Sequence, residues 1–151
     1  MKKFEIFDHI TVRSLMAVLV VDKVEEAVNT ANALIKGGVS VIELALRTPV
    51  AIEAIKAVVD SCPEMLVGAG TVLKPKQIES VKKAGAHFAL SPGINTDVIL
   101  ESNNYELPFI NENFRSTQTQ WAGPMAGKGA TGIVGEVYSG MRKGMTSLST
   151  D

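Results

Sequence analysis

The chain has 151 residues, 46% hydrophobic and 21% charged, which suits one globular domain with a real core and excludes a disordered composition for its first two thirds. A formal net charge of -1 gives no electrostatic reason to expect nucleic acid or an anionic membrane, so a small metabolite is the expected partner. The one cysteine, Cys62, excludes an internal disulfide and any multi-cysteine zinc site and reads as a buried structural thiol.

At the N-terminus, Phe4, Phe7 and Ile10 stand at helical spacing, predicting a short amphipathic helix over 4–12. Glu5 and Asp8 interrupt this segment before an apolar core of signal-peptide length develops, and no later run reaches the length of a membrane span. The cytoplasm is therefore the expected compartment. A β-rich run from Leu15 to Val21 follows, then Asp22 as an expected N-cap before the stripe Val24, Ala27, Val28, Ala31, Leu34 and Ile35, which Gly37 and Gly38 terminate. The same unit recurs as a strand over 39–46 and a helix with Thr48 as N-cap and Pro49 as first helical residue, ending about Ser61. A strand over 65–72 and a helix from about Pro75 to Ala84, closed by Gly85, make the next unit. The strand His87–Ser91, a short helix after Thr96 and a fifth strand, Leu107–Ile110, complete the series. Strands alternating with single helices predict an α/β fold with parallel pairing and right-handed crossovers. After Ile110 the pattern fails. Residues 111–151 are rich in Gly, Ser, Thr, Asn and Gln, and only Gly132–Tyr138 offers an apolar run, so the expected division is a domain over 1–110 and a tail over 111–151.

The stretch VSVIELALRTP, residues 39–49, carries the strongest chemical signal. Side chains alternate along a strand, so Val39, Val41, Glu43, Ala45 and Arg47 share one face while Ile42, Leu44 and Leu46 share the other. A buried ionised Glu is costly unless paired or working, which makes Glu43 the first catalytic candidate. Ligands in parallel α/β architectures gather at the C-terminal ends of strands, and that rule selects Glu43 with Arg47, Gly70 with Thr71 in VGAGTVL, and Ser91, Pro92 and Gly93 in FALSPG. Arg47 can fork onto a carboxylate or phosphate, and Thr71 can add a hydroxyl donor. Gly68 and Gly70 read as positions for close packing or a tight turn. Residues 123–129, GPMAGKG, miss the P-loop spacing and end in Gly where Ser or Thr is required, and GAGT lacks dinucleotide-fingerprint spacing. His9 and His87 have no ligand-spaced partners, so neither a metal nor a cofactor is expected.

Taken together, VIELALRTP, VGAGTVL and FALSPG, in this order and at these separations, resemble the 2-keto-3-deoxy-6-phosphogluconate (KDPG) and 4-hydroxy-2-oxoglutarate (KHG) aldolases over roughly residues 12 to 110. The resemblance implies a TIM-type (β/α) barrel, of which about the first five of eight strands stand here, a homotrimer, and class I aldol cleavage of a 2-keto acid to pyruvate plus an aldehyde. It implies that Glu43 is the acid/base residue, that Arg47 and Thr71 bind the pyruvate carboxylate, and that Pro92 lines the same pocket. The family's Schiff-base lysine lies in a sixth-strand segment resembling KFFPA. Here LPFIN is followed by NENFRSTQTQWAGP, which shares nothing with that segment, and Lys128 and Lys143 stand in the Gly-rich tail. The expectation is a shortened or frame-shifted aldolase with impaired activity, or a non-catalytic half-barrel that serves in binding or assembly.

Overall fold

The computed structural model describes residues 15–111. The helix expected over 4–12, His9, GPMAGKG, Lys128 and Lys143 lie outside the described residues, as does the tail beyond residue 111. Within them the elements run β1 (Ala17–Leu19), α1 (Val24–Lys36), β2 (Val41–Ala45), α2 (Ala51–Ser61), β3 (Leu66–Gly70), α3 (Pro75–Lys83), β4 (Phe88–Ser91), α4 (Thr96–Asn104) and β5 (Phe109–Asn111).

One helix between each pair of strands returns the chain to the same end, and every pair is parallel. The sheet order is β1-β2-β3-β4-β5. This order never reverses, so the sheet is a barrel-type wall and has none of the switch points of a doubly wound sheet.

Strand parity sorts the core into two sides. Ile42, Leu44, Val67, Ala69 and Ala89 face the helices, where they meet Ala27 and Ala31 of α1, Ala54, Ile55 and Val58 of α2, Ile78 and Val81 of α3, and Val98 of α4. The other side gathers Met16, Val41, Phe88, Leu90 and Ile110, with Leu66 against them. All five residues of β2 are buried, as expected of a strand covered on both faces. Each fully buried Leu, Ile or Phe contributes roughly 1.5–3 kcal/mol relative to exposure.

Two helix starts differ from the sequence expectation. The N-cap of α1 is Lys23, not Asp22, in extended backbone with no side-chain cap, and Glu25 and Glu26 in the first turn complement the helix dipole instead. Helix α2 begins at Ala51 behind Val50 rather than at Pro49. Thr48 stands two residues before the N-cap, and its hydroxyl donates to the Val21 carbonyl at 2.7 Å, a tertiary tie between the ends of β2 and β1. Elsewhere local chemistry decides. Gln77 Oε1 accepts from the backbone N–H groups of Leu73 and Lys74, each at 2.8 Å, and Asn95 Oδ1 accepts from Asp97 N–H at 3.0 Å to start α4. Gly38 takes φ 83° after α1, so that its N–H reaches the Ile35 carbonyl at 2.9 Å and Val39 N–H that of Leu34 at 2.9 Å.

Candidate active site

Because all strands are parallel, the residues that follow β2, β3 and β4 emerge on one edge of the wall. Ala45 pairs with Gly70, Leu46 N–H donates to the Gly70 carbonyl at 2.9 Å, and Val72 N–H donates to the Leu90 carbonyl at 3.0 Å. These bonds hold the three strand ends side by side. Arg47, Thr71 and Pro92 therefore share the C-terminal rim.

Glu43 stands two residues before the end of β2 on the inner side, where Val41 also points, and is 4% exposed. It pairs in register with Val18 and with Gly68. Its carboxylate, however, lies over Gly70, one step nearer the rim, where any Cβ would overlap Oε1, Cδ and Cγ. Every buried side-chain N or O atom among the described residues has a hydrogen-bond partner, so the acid is held, not stranded.

The residues around it lie at different depths. Arg47 is exposed in the turn after β2, where its N–H donates to the Ala45 carbonyl at 2.8 Å. Pro92 is exposed directly after β4. Thr71 is half-buried and adopts φ 59°, a left-handed backbone that a β-branched residue rarely takes. This turn ends β3 two residues earlier than the periodicity predicts, and it turns Val72 into the helix-side core with Ala69. The structure thus places the Glu43 carboxylate beside the residue that precedes Thr71, with Arg47 and Pro92 at the adjoining loop mouths. The left-handed turn at Thr71 had no signal in the sequence.

Ser91, buried at the end of β4, donates from Oγ to the Gly93 carbonyl at 2.9 Å and shapes the loop that carries Pro92. Gly68 makes room for the Phe88 ring, so close packing accounts for it as it does for Gly70. Cys62 is buried, and desolvation pushes its thiol up, away from nucleophilic character. His87 is bound into the wall: Val67 N–H donates to its Nδ1 at 3.0 Å. Among the described residues no three His, Cys, Asp or Glu side chains group closely enough to hold a metal ion, no helix is long and apolar enough to cross a membrane, and no lysine stands on a strand.

A family model described as KDPG and KHG aldolase matches residues 6–115. The KHG/KDPG aldolase of Escherichia coli K12 is 45% identical over 101 residues, which cover 67% of this chain and 47% of that protein. The 2-dehydro-3-deoxy-phosphogluconate aldolase of Treponema pallidum is 40% identical over 105 residues, covering 70% of this chain and 50% of that one. Among solved structures, the Zymomonas mobilis KDPG aldolase with 3-phosphoglycerate superposes with a TM-score of 0.63 at 36% identity, over 70% of this chain and 50% of the other. The Legionella pneumophila KDPG aldolase, with pyruvate captured at low pH as a covalent carbinolamine, gives 0.61 at 42% identity, over 64% and 47%. The chain spans about half the length of the curated relatives it matches.

Proposed function

The chain belongs to the KDPG and KHG aldolase family, and from that premise we propose that its half-barrel carries the 2-keto acid end of an aldolase site without, among the described residues, the amine that completes the chemistry. Arg47 and Thr71 bind the carboxylate of pyruvate or of a parent keto acid, KDPG or KHG, Pro92 lines the pocket, and Glu43 stands where the acid/base residue would serve carbinolamine formation and cleavage once an amine adds to the carbonyl. The carrying observation is the buried Glu43 carboxylate lying over Gly70 at the rim, next to Thr71.

A carbinolamine forms when an amine nitrogen adds to the keto carbon, and loss of water then gives the imine that accepts the electron pair of the breaking carbon–carbon bond. In this chain every described lysine stands on a helix or in a loop, as Lys23 and Lys74 do at helix N-caps. A solvated lysine stays protonated at neutral pH and is a poor nucleophile. We therefore assign keto-acid binding to these residues and impaired cleavage to the chain. The test is incubation of the full chain with pyruvate and borohydride, then peptide mass spectrometry. Binding without a lysine adduct is expected. An adduct on one specific lysine would overturn the impairment, and indifference of pyruvate binding to loss of both Arg47 and Thr71 would overturn the site.

The chain division near residue 110 is part of the same proposal, supported by the family match ending at residue 115. A reducing, cytoplasmic setting is proposed on the single cysteine.

The family resemblance itself implies a homotrimer; the alternative is a non-catalytic binding or assembly module whose open edges pair with another copy or with a separate complementary chain. It is favoured by β1 and β5 standing at the two ends of the five-strand order, and by Leu73, Ile94 and Leu100, which are 50%, 72% and 62% exposed. A folded monomer in sedimentation at micromolar concentration would end it.

A further inference from the structure

We propose that Gly70 is a positioning residue for Glu43: the missing side chain at the end of β3 lets the carboxylate reach the C-terminal rim. The proposal rests on Glu43 being the proton-transfer group of the keto-acid site.

Glu43 lies in one register row with Gly68, and the next row toward the rim is Ala45 with Gly70. Two glycines on one face of β3 thus present two empty spaces, and different side chains fill them. The Phe88 ring takes the space over Gly68, where a Cβ would meet Cε2, Cζ and Cδ2 of the ring. Glu43 cannot lie over its own row and leans one step along the strand direction instead. There the space over Gly70 receives its carboxylate, and on its own strand, β2, the residue in that row is the small Ala45. The arrangement is directional: a side chain at 68 meets the Phe88 ring, and any side chain at 70 must displace the Glu43 carboxylate. Backbone flexibility is not the reason for Gly70, since no left-handed φ occurs there among the described residues, whereas Thr71 beside it does take one.

The test is Gly70→Ala in the full chain, without ligand, read by carbon-13 NMR titration of the Glu43 carboxyl, assigned by its loss in Glu43→Gln. The expected result is a displaced Glu43 resonance with a changed titration midpoint. If Gly70→Ala fails to fold, Glu43→Ala added to it is expected to restore folding, whereas Glu43→Ala added to Gly68→Ala is expected to restore nothing. A folded Gly70→Ala chain with an unchanged Glu43 titration, or an unfolded one that Glu43→Ala does not rescue, overturns the proposal. Pyruvate takes no part in these measurements, so their failure leaves the keto-acid reading standing. Failure of wild-type chain to bind pyruvate, in turn, leaves the Gly70–Glu43 relation standing.

Discussion

Thr71 offers a measurement in which stability and function part company. Its φ of 59° places a β-branched residue in a region where an ordinary L-residue is strained by roughly 1–2 kcal/mol. Comparing Thr71→Gly with Thr71→Ala isolates this strain, because both variants lose the hydroxyl and the methyl, and they differ only in Cβ. At an ordinary strand or helix position Ala is the more stable by roughly 0.5–1 kcal/mol, since Gly loses more chain entropy on folding. Here the left-handed backbone reverses the order, and the net expectation is that Thr71→Gly exceeds Thr71→Ala by about 1 kcal/mol. With a urea m-value of about 2 kcal/mol/M for a small domain, the two midpoints separate by roughly 0.5 M. Pyruvate affinity should fall by about the same factor in both variants, on the order of tenfold or more for a lost hydrogen bond to a carboxylate. A Thr71→Ala chain as stable as Thr71→Gly would show that the backbone is relaxed at this position, and the idea of strain held at the rim would be withdrawn.

Two further outcomes follow from named contacts. His87 is half-buried, and desolvation holds its imidazole below the ordinary histidine value; the Val67 N–H that donates to Nδ1 also needs that nitrogen unprotonated. The unfolded chain therefore binds the proton more readily. The contribution is fully present above the unfolded value near 6.5 and is lost as pH falls through the lower folded value. His87→Asn, which keeps an acceptor but does not titrate, should flatten this part of the stability–pH curve measured by urea unfolding; an unchanged curve would remove His87 from the account. Arg47→Lys keeps the charge but loses the two-pronged fork, so pyruvate affinity measured by calorimetry should drop about tenfold, and wild-type affinity in that variant would exclude bidentate binding.

What the sequence makes legible is what repeats locally. The strand through 41–45 is buried as expected, and the helical stripe from Val24 to Ile35 turns to the core with Ala27 and Ala31 buried and Val28, Leu34 and Ile35 partly buried against it, because each pattern is built from neighbours along the chain. The misplaced helix starts have the opposite origin. Thr48 looks like a cap until its hydroxyl meets Val21, 27 positions away in the chain, and no local pattern announces that partner. The site divides along the same line. Parity alone puts Glu43 on the inner side, and the strand-end rule alone puts Arg47, Thr71 and Pro92 on one rim. The reach of Glu43 toward that rim depends on Phe88 filling the space over Gly68 and on Ala45 and Gly70 being opposite each other, relations that exist only once three strands are in register. A buried acid in a parallel strand is therefore better judged by the row ahead of it than by its own neighbours in the chain: where that row holds only small residues, the carboxylate can lean to the rim and act there. Where it is filled, the same acid is confined to structure.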